Sequence, residues 1–250
     1  MKLPKLYFYL KHLYYYLRAL IPNRYTNRYN SGIPVLLLHS VGDYIHKKDA
    51  IGIRITKNKF LSILDFITEH KFNSIFLREI GNSNEPNRVV LTFDDGYEDN
   101  YTEVLPLLEQ YKVKATFFMA IGEIIKNTQK EIYPLMSMDS LKKMAQSEYV
   151  EIGMHAYYHQ PFPERLDSST IADLRKGIEN FRETGIDIQS FSYPHGAIPI
   201  KIEELLPQLG IKFAACSNKG FYTANSDKFR IPRQEISFYS SLIEIKNKFL

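Results

Sequence analysis

The 250-residue chain has a single cysteine, Cys216. An intrachain disulfide is therefore impossible and a cysteine-built zinc site is excluded, so any metal must be held by His, Asp or Glu. The missing disulfide agrees with a cytoplasmic setting, although it is weak evidence on compartment. Long apolar runs are lacking too. In the first thirty residues Lys11, His12 and Arg18 interrupt each run before it reaches the length of a signal-peptide core or a transmembrane helix, and no small-residue cleavage site follows. The expected location is cytoplasmic or peripheral to a membrane. The same thirty residues contain no Asp or Glu but six basic residues, Lys2, Lys5, Lys11, Arg18, Arg24 and Arg28. They account for more than the whole net charge of +4 and leave a body that is slightly acidic. Basic character confined to one arm does not make a nucleic-acid surface, and no nucleic-acid partner is expected.

What is present is ordinary globular composition, with 44% hydrophobic and 24% charged residues, enough for one large α/β domain. Two parts are expected: an arm over residues 1–30 and a catalytic barrel over 31–250. In the arm Leu3, Leu6, Leu10, Leu13, Leu17 and Leu20 recur at spacings of three and four, one apolar stripe on a helix that Pro22 and Asn23 end. Seven of the 18 tyrosines lie there beside the basic residues, a mixture suited to membrane headgroups. A helix docked on the barrel or paired with a second copy fits the stripe equally well.

Beyond residue 31, short β-rich runs alternate with amphipathic helices. The strands expected are Val35–Leu38, Ser74–Phe76, Val89–Thr92, Ala115–Met119, Val150–Gly153, Ser190–Tyr193, Lys212–Ala215 and Ile231–Ile236. Helices are expected on Phe60, Ile63, Leu64 and Ile67 after a Thr56 cap, on Ile171, Leu174, Ile178 and Phe181, and over Tyr101–Tyr111 and Asp139–Ser147. Repeated strand-then-helix order argues for a parallel sheet, and seven or eight such units argue for a compact α/β fold of the (β/α) barrel type. An open doubly wound sheet is the alternative.

Three strand ends carry chemistry. The run Val89–Thr92 leads through Phe93 into Asp94, Asp95 and Gly96, where two like charges at the mouth of a buried strand call for a cation. An ordinary Asp-Gly turn followed by a helix capped at Asp99 is the plain alternative. His155 and His159 follow the strand at Val150. Four apart, they share one face if the loop makes a single helical turn, and with the aspartates they form a His, His and carboxylate set with room for water. Ala156 stands where the zincin motif needs its glutamate, so that motif is excluded. The third element, Tyr193, Pro194, His195 and Gly196, turns sharply after a strand. Its backbone N–H groups could hold an oxyanion, or the turn could be purely structural.

Together, and in this order, the three elements resemble the polysaccharide deacetylase family, also called the NodB-homology or carbohydrate esterase 4 family, over roughly residues 31–240. Thr92-Phe93-Asp94-Asp95-Gly96 matches the family's first motif unchanged, Ala115-Thr116-Phe117-Phe118 looks like the core strand that follows it, and Val35-Leu36-Leu37-Leu38-His39-Ser40-Val41 is similar to the first strand of one branch. The resemblance implies a distorted (β/α) barrel of seven or eight units, with Asp94 as general base and Asp95, His155 and His159 as metal ligands. It also implies that a metal-bound water attacks an acetamide, with the backbone near Tyr193 to His195 receiving the oxyanion. Zinc is the default for this donor set, and cobalt, nickel or manganese suit similar ones.

The chain departs from the family in three places. Ala156 replaces a Ser or Thr that helps to fix the loop. Ser192 stands where an arginine usually orients the catalytic aspartate, and Arg233 could supply that charge from elsewhere, or be a surface residue; if it supplies the charge, Arg233→Met is expected to cut turnover with little change in melting temperature. The late Leu-x-x-His motif is missing, since no histidine follows His195. His39 and His195, at expected strand ends, are the remaining candidates to protonate the leaving amine, whereas His12, His46 and His70 lie in the arm, a loop and a helix end. The expected activity is metal-dependent N-deacetylation of an amino sugar in a polysaccharide or lipid-linked glycan of the cell envelope. A deformylase or a deacetylase of one lipid-linked precursor would use the same chemistry. A catalytically silent glycan-binding barrel is the reading of a different class.

Overall fold

In the computed structural model of the protein, residues 32–81, 86–126 and 132–249 are described. The arm over residues 1–30 lies outside them. The described residues begin with β1 (Val35–Leu38), β2 (Ser40–Val41), β3 (Arg54–Ile55) and helix α1 (Lys57–Glu69). There follow β4 (Asn73–Ser74), β5 (Arg88–Phe93), α2 (Leu105–Tyr111), β6 (Ala115–Met119), α3 (Ile121–Lys126), α4 (Met138–Met144) and β7 (Val150–Met154). The remainder is α5 (Ser168–Thr184), β8 (Ser190–Ser192), α6 (Ile202–Leu205), β9 (Phe213–Ala215), β10 (Gln234–Glu235) and α7 (Leu242–Lys246).

The main sheet runs β10-β1-β5-β6-β7-β8-β9, with β4 added on β5. Every pairing in it is parallel. Ile231 makes a parallel bridge to Ala215 at one edge, and three residues later Gln234 pairs with Leu36 at the other. One short segment thus touches both edges, which makes the sheet a curled barrel and rules out the open doubly wound alternative. The expected strand Ile231–Ile236 is shorter for the same reason: its first residue serves one edge and its middle the other. The pair β2–β3 was not legible in the sequence, because two residues per strand show no periodicity.

Alternation along the strands divides the side chains between two cores. Leu36, Leu38, Leu91, Phe93, Phe117, Ile152 and Ala214 pack with the helices. Val35, Val90, Phe118, Ala215 and Ile231 pack together on the inner face, with Leu77 and Ile80 beneath. Phe118 fits there because its neighbour is Gly153, where a Cβ would stand 2.6 Å from the Phe118 ring. Helix α1 follows the expected pattern, with Thr56 accepting from Lys59 N–H at 3.2 Å and Phe60, Ile63, Leu64 and Ile67 buried.

Helix α5 is rotated relative to the expected stripe. Leu174 and Phe181 are buried, Ile171 and Ile178 only partly so, and Gly177 faces the core. A Cβ at Gly177 would meet the end of Met154 at 2.4 Å, so the glycine lets α5 come close to β7. Over the expected helix Tyr101–Tyr111, residues Asn100–Val104 instead form a wide π-turn that ends where Pro106, with no N–H, enters the first turn of α2. No side-chain cap forms at Asp99. Its carboxylate is taken by Ser40 Oγ at 2.7 Å, Val41 N–H at 2.9 Å and Arg54 at 2.7 Å, which ties β2 and β3 to the segment after the Asp pair.

Candidate active site

Parallel strands bring Asp94 after β5, His155 after β7 and the turn after β8 to one rim, because every strand ends on the same side. Asp94 N–H continues the ladder to Leu38 O at 3.0 Å, and its carboxylate is buried. Arg233 grips it with two parallel hydrogen bonds, Nη1 to Oδ1 and Nη2 to Oδ2, each 2.8 Å. The arginine is 1% exposed. It starts low in the barrel, one residue before Gln234, which is level with Leu36, and its side chain extends up to the rim. On the way it donates to Cys216 O at 2.9 Å, Thr92 Oγ1 at 3.1 Å and Ser192 Oγ at 2.9 Å. Ser192, in the place of the family's arginine, donates its hydroxyl to Asp94 Oδ2 at 3.1 Å. Burial pushes the Asp94 pKa up, but Arg233, His155 and His39 hold it below the usual carboxylate range.

Asp95 adopts a left-handed backbone with φ of 76°, which turns its side chain away from the ladder and toward the histidines. Its Oδ1 lies 3.3 Å from His155 Nε2 and 3.2 Å from His159 Nε2, is buried, and has no hydrogen-bond partner. His155 is oriented from behind, its Nδ1 lying 2.8 Å from the Ser192 carbonyl, to which it donates. A neutral His155 then presents the bare lone pair of Nε2 to Asp95. The carboxylates raise the His155 pKa against the effect of burial. Burial, with His155 and His195 nearby, pushes His159 down to about 4, so that ring is neutral at pH 7. Asp95 itself is held far below the usual range by His155, His39 and His159, although burial opposes them. The three donor atoms lie within 4.8 Å of one another. An orphaned carboxylate oxygen facing imidazole nitrogens is the arrangement a divalent cation satisfies, and these residues fit one.

The expected helical turn between the two histidines does not form. Ala156 is left-handed, φ 61°, and residues 155–159 run as an irregular loop. The rings still meet, with centroids 4.9 Å apart.

His195, also left-handed at φ 55°, is exposed and stacks on His159 at 4.5 Å. In its turn the Tyr193 N–H is spent on Ala215 O and Pro194 has no N–H, which leaves the His195 N–H as the donor of this turn with no partner among the described residues. The Tyr193 hydroxyl is buried and donates to Phe229 O at 2.9 Å. His39 follows β1 directly, beside the start of the turn at Asp94, whose N–H donates to the Leu38 carbonyl. The His39 carbonyl accepts from Asn100 Nδ2 at 2.9 Å. His46 and His70 are elsewhere, the latter stacked on Phe66 at the end of α1. Sequence reading missed the orienting role of the Ser192 carbonyl and hydroxyl, for which an unremarkable serine offers no signal.

A family model described as polysaccharide deacetylase matches residues 81–214. YxkH of Bacillus subtilis (strain 168), assigned by name to the polysaccharide deacetylases, is 24% identical over 214 residues, covering 82% of this chain and 71% of that protein. The poly-β-1,6-N-acetyl-D-glucosamine N-deacetylase of Staphylococcus aureus is 23% identical over 207 residues, covering 76% and 70%. Among solved structures, IcaB of Ammonifex degensii superposes with a TM-score of 0.74 at 21% identity, covering 87% of this chain and 97% of that one. The Streptococcus pyogenes deacetylase PplD, solved with acetate, superposes with a TM-score of 0.75 at 18% identity, covering 88% and 98%.

Proposed function

From a chain that belongs to the polysaccharide deacetylase family, hydrolases of carbon–nitrogen bonds, we propose metal-dependent removal of N-acetyl groups from an N-acetylglucosamine polymer. The observation that carries this reading is the Asp95, His155 and His159 donor cluster beside an Asp94 held by Arg233. When bound, a divalent ion at that cluster supplies Lewis-acid polarisation of the acetamide carbonyl and a water of lowered pKa. Zinc suits two imidazoles and a carboxylate, and cobalt, nickel and manganese are the alternatives.

The chain's own groups then carry the protons. Asp94 accepts the proton of the attacking water, with Arg233 and Ser192 aiming both of its oxygens. Negative charge grows on the carbonyl oxygen as the carbon becomes tetrahedral, and we assign the His195 N–H to it, with Tyr193 and Pro194 shaping the turn. His39 gives a proton to the departing nitrogen as the C–N bond breaks, releasing acetate and a free amine. His39 directly follows Leu38, which pairs with Phe93 and accepts from Asp94 N–H, and this neighbourhood supports the choice over His195, whose ring is stacked on His159.

The test is acetate and amine release from β-1,6-linked N-acetylglucosamine oligomers, with and without chelator, for wild type and Asp94→Asn. The expected result is chelator-sensitive release that falls about a hundredfold or more in the variant. Glycan binding without release from any oligomer would overturn the proposal in favour of a silent binding barrel.

A further inference from the structure

The loop that carries His155 and His159 has an anchor outside its own sequence. The Asp173 carboxylate, on α5, receives the backbone N–H groups of both Tyr157 and Tyr158, at 3.1 Å to each oxygen from Tyr157 and at 3.3 and 3.1 Å from Tyr158. On the other side the Tyr157 carbonyl accepts from Gly122 N–H of α3 at 2.8 Å. Three consecutive polar groups of the loop are thus held by two helices. Both helices come close through glycine: a Cβ at Gly122 would lie 2.7 Å from the Tyr157 carbonyl oxygen, and one at Gly177 3.5 Å from Tyr157 N. Ala156, one residue before these contacts, brings no hydroxyl to the loop and is left-handed.

His155 needs no such help, since it continues the β6–β7 ladder through Met119 O and is oriented by Ser192. His159 lies beyond the left-handed break, and nothing in the strand register sets its position. We propose that Asp173 is a positioning residue for His159: by clamping the N–H groups of Tyr157 and Tyr158 it keeps the second imidazole in the donor cluster, with Nε2 3.2 Å from Asp95 Oδ1, where with Asp95 and His155 it would hold a divalent ion. The inference rests on the metal-site reading above.

The test is Zn2+ affinity, measured by competition with a chromophoric chelator, for the full chain, Asp173→Ala, His159→Ala and the double variant. Melting of the metal-free proteins is followed in parallel. Asp173→Ala is expected to weaken Zn2+ binding roughly ten- to a hundredfold. In the His159→Ala background it should have no further effect, because the ligand it positions is gone. Asp173→Asn, which keeps the shape and one acceptor oxygen, should fall between, and it replaces the alanine variant if that one does not fold. Wild-type affinity in both Asp173 variants, or equal losses in the two backgrounds, would overturn the proposal. Wild-type affinity in His159→Ala would instead sink the metal-site reading itself, and the positioning role with it.

Discussion

Arg233 and Asp94 form a bidentate pair buried beneath the rim. Removing one partner of such a pair leaves the other charge uncompensated, a loss of about 3–5 kcal/mol. Arg233→Met is therefore expected to abolish most turnover and also to shift the urea midpoint substantially downward. This replaces the sequence-based expectation of little change in melting temperature, which took no account of the pair's being buried. Arg233→Lys should recover little activity, because an ammonium cannot bond both oxygens of Asp94 in a plane. An Arg233→Met protein that unfolds at the wild-type urea midpoint would mean that the pair is not formed in solution. At this scale Asp94, Asp95 and His155 were legible because each follows directly on an apolar strand, and His159 through its spacing of four from His155. Ser192 was legible only as a departure from a family pattern, not for what its carbonyl and hydroxyl do.

At the scale of elements, the inner face of the sheet is stratified. The rim holds Asp94 and His155, Phe118 lies in the apolar layer below, and Glu151 of β7 is buried near the strands' N-terminal ends. Glu151 accepts from Ser190 Oγ at 2.6 Å, Thr116 Oγ1 at 2.7 Å and Arg78 N–H at 3.3 Å. Burial raises its pKa above the ordinary value in spite of these bonds. The folded state then binds this proton more tightly than the unfolded chain does. The stabilisation is present in full below the unfolded pKa of about 4.5 and is lost as the pH rises through the folded value. Glu151→Gln removes that dependence. The difference in urea-unfolding free energy, wild type minus variant, should fall as the pH is raised from 4 toward neutrality. A flat difference across that window would show that Glu151 ionises normally. Strands β5, β6 and β7 were readable because each is a buried run of five or six mostly apolar residues, whereas the helical turn that would set both histidines on one face is broken at Ala156. A left-handed residue leaves no trace in hydrophobic periodicity.

For the whole molecule, the charge distribution is the main open lever. Among the described residues no helix is long and apolar enough to cross a membrane. The first thirty residues, with their leucine stripe, tyrosines and six basic side chains, are proposed as a separate arm that holds the barrel at an anionic surface, near a polymer or lipid-linked substrate. Deleting residues 1–30 should release the protein from anionic liposomes in a sedimentation assay while leaving oligomer deacetylation intact. Unchanged sedimentation would favour a helix docked on the barrel or paired with a second copy.

The sequence by itself determined most of the strand segments, their parallel arrangement and the four residues that meet at the rim, because strand ends and ligand residue types are local properties. Only the tertiary structure decided what surrounds them. Arg233 meets Asp94 across 139 positions of chain, and Asp173 reaches the histidine loop from a helix packed against it. A side chain that acts from another element is selected by packing and register. Neither the periodicity nor the composition of its own segment records the partner it meets.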